Sequence, residues 1–566
     1  MSKLALITTA VMLFSGATSL LAQQPPNIVV ILCDDLGYAD YSAFGTTDIQ
    51  TPNIDRIFHE GATLTNFHAN SSICSPSRAA LLTGCYPDRV GIPGDLRESV
   101  NSFGYFSPSA MTLPSQLKQY GYRTALVGKW NLGLQPKNLP NARGFDYFAG
   151  FLADMMDDDY SHLRYGVNYM RINGTTVYPK GHITDILTNW AVAYLQDNAN
   201  NPAPFFLELA YTTPHIPIQP TTAWLNQVKA EEPGVAEQRQ EYVALVEQMD
   251  AGIGQVLQTL DDLNLASNTL VIFTSDNGGL LSSGANDGPT RGEKGTMYEG
   301  GLRVPAAARW TGTIPAASTI PRLILTMDVF STICDAAGAT PPPGIDGVSF
   351  LPDLVGGTPL PSNPNAYFVL RYDFPKSSNT GVMNALISGN WKLIQEFPSS
   401  RTGDPDVATP SKSPCPPFTL YDLGNDPLES TDLSAQNPAV LSKLVNSLGA
   451  HVQLGIYVPW IPPPPMVTGL NPTSGDVGGG TIVKVTGSGF TGATSVDFGG
   501  AGATILKVVS DTLIKATSPA GSGTVDITVG TVAGTSAPSV AGRFTYTAAA
   551  VVPGEDGENA NAPAHK

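Results

Sequence analysis

Four short apolar runs, each ending in residues that carry chemistry, set the fold this chain can adopt. Asn27-Ile-Val-Val-Ile-Leu-Cys33 runs into Asp34-Asp35, and Thr124-Ala-Leu-Val127 into Gly128-Lys129. Phe205-Phe-Leu-Glu-Leu-Ala-Tyr211 leads to Thr213-Pro214-His215, and Leu270-Val-Ile-Phe-Thr274 to Asp276-Asn277. Apolar runs of this length, separated by amphipathic stretches, predict buried parallel strands alternating with helices. Parallel strands put their carboxyl ends on one edge of the sheet, where open α/β sheets bind ligands. That edge would collect carboxylates, an amide, a lysine and a histidine.

Helices are legible between the runs. Ser75-Pro76 before Ser77–Thr83 and Gly84 places a cap-type residue, a first-turn proline and a glycine stop in helical order. Glu241–Leu260 carries Val243, Leu245, Val246, Met249, Ile253, Val256, Leu257 and Leu260 at helical spacing, the stripe of a helix packed on a core. The pattern changes at 362–461, where strand-like Ala366–Tyr372, Ala385–Gly389 and Trp391–Gln395 precede a helix around Pro438–Leu448. This predicts a smaller antiparallel α+β subdomain after an α/β domain over 23–361.

Pro462–Pro465 reads as a stiff polyproline linker. Beyond it, 466–546 is rich in Gly, Thr and Val, with alternating strands at Thr481–Thr486, Thr504–Val509 and Thr524–Val529. Turn signals every 8–15 residues predict an all-β, immunoglobulin-like sandwich. Asn471-Pro-Thr-Ser-Gly475, Gly478-Gly-Gly480 and Gly487-Ser-Gly-Phe490 resemble an IPT/TIG module. Its balanced charge and lack of tryptophan favour a spacer over a sugar-binding platform. Residues 547–566, rich in Ala, Pro and Gly, read as a disordered tail.

With 42% hydrophobic residues in 566, the chain can fill a large core. Its net charge of −17 argues against a nucleic-acid partner and requires a local cluster of cations to draw any anionic substrate. Residues 1–22 read as a secretory signal peptide, with Lys3, an apolar Leu4–Phe14 and cleavage after Leu20-Leu21-Ala22, so the chain is expected to be secreted or periplasmic. No later uncharged apolar run is long enough to span a membrane. Five cysteines (Cys33, Cys74, Cys85, Cys334, Cys415) are too few for a disulfide framework, and the odd count leaves one thiol to explain.

Asp34, Asp35, Asp276 and Asn277 offer oxygen ligands that suit Ca²⁺, with Mg²⁺ the lesser alternative, while no His or Cys cluster has zinc spacing. Taken alone, a cysteine at a helix start beside Arg78 would be an acidified nucleophilic thiol. The longer motif points elsewhere. Cys74-Ser-Pro-Ser-Arg78 followed by Ala79-Ala-Leu-Leu-Thr-Gly84 resembles the signature of the formylglycine-dependent type I sulfatases, the arylsulfatase family of the alkaline phosphatase superfamily. Five further blocks are similar to that family: Asn27–Asp35, Gly121–Trp130, Thr213-Pro-His215, Ser275–Gly279 and Lys294–Pro305.

The resemblance implies an alkaline-phosphatase-like fold and a set of roles. Cys74 would be oxidised to formylglycine (3-oxoalanine) by a maturation enzyme, which would account for the odd cysteine. Its hydrate would be nucleophile and Ca²⁺ ligand, with Asp34, Asp35, Asp276 and Asn277 completing the metal site. Arg78 would stabilise the formylglycine, Lys129 and Lys294 bind sulfate, and His215 protonate the leaving alkoxide. The family's Gly-Lys-Trp-His-Leu-Gly reads Gly128-Lys-Trp-Asn131-Leu-Gly133 here. Asn131 has no titratable proton, yet is expected within hydrogen-bonding distance of residue 74.

His68, His162 and His182 are weaker pocket candidates, and Arg97 and Asp154–Asp159 read as solvated loop. The expected activity is hydrolysis of sulfate esters, with a sulfated carbohydrate or polysaccharide as substrate. The alternatives are a formylglycine phosphonate or phosphate-ester hydrolase, and a catalytically weak protein that binds sulfated glycan.

Overall fold

Alternate residues of the first strand pack into opposite cores. In β1 (Asn27–Cys33), Ile28, Val30 and Leu32 join the cluster on one sheet face, and Val29, Ile31 and Cys33 the cluster on the other. A strand buried on both faces belongs in the middle of a sheet covered by helices. The computed structural model describes residues 25–96, 106–361, 364–373, 380–395, 418–456, 465–490, 493–510, 512–531 and 534–548. The expected signal peptide, Arg97, Cys415, most of the polyproline linker and nearly all of the tail lie outside them.

β1 is one of ten strands in a mixed sheet. Beside it run β2 (Arg123–Lys129), β3 (Phe205–Ala210) and β4 (Thr269–Ser275), in the spatial order β4-β1-β3-β2, all parallel. The four apolar runs are thus four adjacent strands whose carboxyl ends share one edge. An antiparallel strand, Ala306–Arg309, flanks β4. Gly128 lets β2 close on its neighbour: at φ +126° a Cβ there would lie 1.7 Å from the Ala210 carbonyl oxygen.

Helix α1 (Pro52–His59) and α3 (Glu237–Asp262) cover the face holding Val29 and Ile31, while α2 (Cys74–Thr83) lies on the other. The stripe read at Glu241–Leu260 is buried along α3, which extends beyond it at both ends. After the α/β unit, Ala366–Asp373, Thr380–Ser388, Trp391–Gln395 and Thr419–Asp422 form a four-stranded antiparallel sheet, followed by the helix Pro438–Ile456. From 466 onward two sheets enclose Val483, Val485, Phe490, Ile514, Ile527, Val529 and Phe544, a β-sandwich core. Among the described residues no helix is long and apolar enough to cross a membrane.

Candidate active site

Helix α2 begins at Cys74 itself, two residues before the sequence-based start at Pro76. Its N-cap is Ile73, in extended conformation and without a side-chain cap bond. Ser75 is not the cap: its single hydroxyl proton is shared between Asp95 Oδ1 at 2.6 Å and the Asn131 carbonyl at 2.9 Å. The stop holds, since Gly84 closes the helix in the left-handed region at φ +66°. All ten residues of α2 are buried, so the first turn and Cys74 have one available position.

Cys74 Sγ lies 3.3 Å from Asp34 Oδ1 and 4.0 Å from Asp35 Oδ1. Burial pushes its thiol well above the ordinary value, and Asp276 and Asp34 add to this. An acidified thiolate nucleophile does not fit this position, because burial first, and Asp276 and Asp34 after it, outweigh the pull of Lys129 and Lys294. Parity is no guide either: Cys33, Cys85 and Cys334 are free as well.

Three carboxylates and three cations interlock around Cys74. Lys129 Nζ is 2.7 Å from Asp34 Oδ2, and Lys294 Nζ is 2.7 Å from Asp35 Oδ2. Arg78 Nε donates to Asp276 Oδ2 at 2.9 Å, and its Nη2 lies 3.4 Å from Asp34 Oδ1. Burial alone would raise Asp34, but Lys129, His215, Arg78 and Lys294 together hold it below the usual carboxylate range. Asp276 is pushed up to about 7 by burial, with Asp34 adding to the effect against the pull of Arg78. Asn277 Nδ2 donates to Asp35 Oδ1 at 2.7 Å, while its Oδ1 is buried without a partner.

This arrangement can hold a divalent cation. Ligand atoms of Asp34, Asp35, Cys74 and His215 lie within 4.8 Å of one another, and the orphaned Asn277 oxygen adds a neutral donor. The three carboxylates balance the three cationic side chains, so a bound dication would leave the pocket positive, as an anionic ester requires.

His215, in the loop after β3, places Nδ1 2.7 Å from the Ile216 carbonyl and Nε2 3.7 Å from Asp35 Oδ2. An Nδ1–H bond to that carbonyl leaves Nε2 as the exchangeable position. Burial, then Lys294, lowers its pKa below the ordinary histidine value.

Asn131 departs from expectation. Its Nδ2 donates to the Leu96 carbonyl at 2.8 Å, its Oδ1 is buried without a partner, and among the described residues no hydrogen bond joins it to Cys74. Its backbone, at φ +55°, occupies the left-handed region that asparagine tolerates better than most side chains. The other histidines serve structure. His162 Nε2 meets the Gly181 carbonyl, and His182 Nδ1 caps the helix Ile183–Asn198. His68 Nε2 lies 3.0 Å from Glu299. Asp154, expected in a solvated loop, is buried beside Arg164.

Sequence reasoning assigned no role to a second buried charge cluster. Glu299 pairs with His68 and Lys392, its backbone N–H donates to Glu429, and Lys392 Nζ also reaches Glu429. Gly295, next to Lys294, donates to the Ser72 carbonyl just ahead of Cys74, which ties the Lys294 segment directly to the Cys74 segment. Glu208 on β3 is likewise buried, with one oxygen unpartnered, and is pushed up to about 7 by burial. Its one signal in the sequence is a charge within an otherwise apolar strand.

The fold and this pocket define an α/β protein whose paired carboxylates and cations at the sheet edge suit an anionic ester. The family follows from comparison: the Sulfatase model matches residues 26–339, and the chain belongs to that family, as a sulfuric ester hydrolase. The N-sulphoglucosamine sulphohydrolase C-terminal model matches 292–453, and the IPT/TIG domain model 465–546. The chain is 34% identical over 455 residues to N-acetylgalactosamine-6-sulfatase of Canis lupus familiaris, covering 75% of this chain and 84% of that protein. It is 32% identical over 475 residues to human arylsulfatase A, covering 76% and 89%. Among solved structures, Ps i-CgsB in complex with k-i-k-neocarrahexaose superposes with a TM-score of 0.66 at 29% identity, covering 76% of this chain and 94% of that one.

Proposed function

We propose that this protein is an exported sulfatase that removes sulfate from sulfated carbohydrates, using a formylglycine made from Cys74 by a maturation enzyme. The carrying observation is the seat of residue 74. It stands at the first turn of a buried helix, 3.3 Å from Asp34, with Lys129 and Lys294 converging on the adjacent carboxylates. The names of the relatives, an N-acetylgalactosamine-6-sulfatase and a protein bound to a neocarrahexaose, support a sugar sulfate over a small aryl ester. The catalytic unit is assigned to 23–361, its antiparallel subdomain to 362–461 and the module to 466–546.

Asp34, Asp35, Asp276, Asn277 and residue 74 would hold the cation, assigned as Ca²⁺ because the donors are hard oxygens in a roomy set. When bound, the ion supplies positive charge that acidifies the nucleophile and offsets charge on the sulfuryl oxygens. One hydroxyl of the residue 74 diol gives its proton to solvent and attacks sulfur, the bond from sulfur to the sugar oxygen breaks, and the diol is left as its monosulfate. Lys129 and Lys294 orient the sulfuryl oxygens and neutralise their charge. His215, through Nε2, protonates the departing sugar oxygen. Loss of a proton from the second hydroxyl to solvent then restores the aldehyde and expels sulfate, and addition of water to the aldehyde renews the diol. Arg78 holds Asp276 and the helix start in place.

Mass spectrometry of the tryptic peptide spanning residue 74 tests the nucleophile, with thiol-to-aldehyde conversion expected. Sulfate release from a panel of sulfated glycans beside an aryl sulfate tests the substrate. An unmodified Cys74 in active material, or turnover confined to small non-sugar esters, would count against the reading.

A further inference from the structure

The charge of the terminal module is balanced in sum and divided in space. Its sequence holds Lys484, Lys507, Lys515 and Arg543 against Asp476, Asp497, Asp511 and Asp526. One sheet consists of β5 (Met466–Asn471), β6 (Ile482–Ser488), β7 (Thr504–Ser510) and β8 (Leu513–Thr517), in the order β5-β6-β8-β7. It carries all three lysines and no acid. Asp476, Asp497 and Asp526 lie in the opposite sheet, the last beside Arg543; Asp511 lies outside the described residues.

The lysines also stand in line. Lys484 is directly opposite Lys515, and Lys515 directly opposite Lys507. All three are exposed, while Val483, Val485, Ile514 and Ala516 face the sandwich core. The third lysine joins the row through a bulge: between Ile505 and Lys507 the register shifts by one, so that Lys507, and not Leu506, meets Lys515. Three strands at about 4.8 Å spacing make a row of cations about 10 Å long. Like charges in directly opposed positions repel and destabilise a sheet. Guarding a sheet edge explains a lysine on β7, but not those on the central strands β6 and β8. Exposed hydroxyls of Thr486 and Thr504 flank the row.

We propose that this face is a non-catalytic binding site for a sulfated polysaccharide, the polymer whose esters the catalytic domain hydrolyses; the identity of that polymer rests on the function proposed above. A chain with a net charge of −17 repels a polyanion, and an acid-free row of cations supplies local attraction. A second contact on the same polymer raises its effective concentration at the catalytic pocket. The balanced composition, which read as a spacer, hides this division because strand alternation and register decide which charges meet.

The test uses the full-length protein. Cys74→Ala protein, which cannot turn over substrate, is bound to immobilised ι-carrageenan and chondroitin 6-sulfate and to their desulfated forms across a salt series. Binding should need sulfate and weaken with salt. Lys484→Gln/Lys507→Gln/Lys515→Gln should weaken it about tenfold. The control Lys118→Gln/Lys229→Gln/Lys443→Gln, with the same change in net charge, should not. On an otherwise unaltered enzyme, the module triple variant should raise KM for the polymer and leave aryl sulfate turnover unchanged. Equal binding by the module triple variant and its parent, no binding by the parent, or equally tight binding to duplex DNA or anionic vesicles would overturn the proposal. Lysine-dependent binding without sulfate release from any glycan would instead overturn the proposed substrate and leave this surface standing.

Discussion

Lys392 Nζ lies 2.8 Å from Glu299 and 2.8 Å from Glu429, with all three side chains buried. The contact joins a strand of the antiparallel subdomain to the segment that carries Lys294, and through Glu299 to His68 on the approach to Cys74. The smaller subdomain is thereby fixed to the segment beside Lys294 by charge as well as by apolar packing.

Lys392→Met should destabilise the protein by about 3–5 kcal/mol, because two buried carboxylates lose their shared cation. Thermal unfolding checks this. Adding Glu429→Gln should recover part of the loss by removing one stranded charge, and kcat/KM should recover with it.

Cys74→Ser should stop turnover after at most one sulfuryl transfer. Serine supplies one hydroxyl, so a sulfated side chain has no second hydroxyl to collapse and expel sulfate. Rapid-quench measurement should give a stoichiometric burst or none, and mass spectrometry of the peptide should locate any trapped sulfate.

Chelation should lower both Tm and sulfate release, since an ion held only by the folded chain stabilises that state by its binding free energy. Ca²⁺ should restore both more fully than Mg²⁺. Asn277→Ala should raise the Ca²⁺ concentration needed, because it deletes the buried oxygen that has no protein partner.

Asp250 on α3 accepts the Asn53 and Ile54 backbone N–H groups at the start of α1 and so acts as its cap from another helix. Asp250→Ala should cost about 1–3 kcal/mol. Burial pushes Asp250 up to about 6, and burial pushes nearby Glu247 up to about 7. Folded pKa values above the unfolded ones of about 4 mean the unfolded chain ionises first. Their contribution is full below about pH 4 and is lost as pH rises to about 7, by about 1.4 kcal/mol per unit of displacement. Denaturant titrations across that range should show the slope flatten in Glu247→Gln/Asp250→Asn.

Asn131→Gly should retain more stability than Asn131→Ala, by about 1 kcal/mol, since the site requires positive φ. Equal losses would show that the side-chain bond to Leu96, and not the backbone, selects asparagine here.

The strand runs and their terminal acids, lysine and histidine were readable because parallel burial and edge chemistry leave local patterns. The sequence alone determined that Asp34, Asp35, Lys129, His215, Asp276 and Asn277 would follow strand ends, and the motif around Cys74 pointed to the family. It did not determine where side chains turn once packed. Asn131 faces Leu96 because its backbone is left-handed and the neighbouring loop offers a carbonyl. Lys392, in the run Trp391-Lys-Leu-Ile394, looks like an exposed strand residue and is buried because two distant glutamates converge on it. The lysine row in the module depends on a bulge and on register between strands. Hydrophobic periodicity is local and survives in the chain, whereas pairing of buried charges and alignment across strands are decided by segments far apart in sequence, so they exist only once the tertiary structure brings them together.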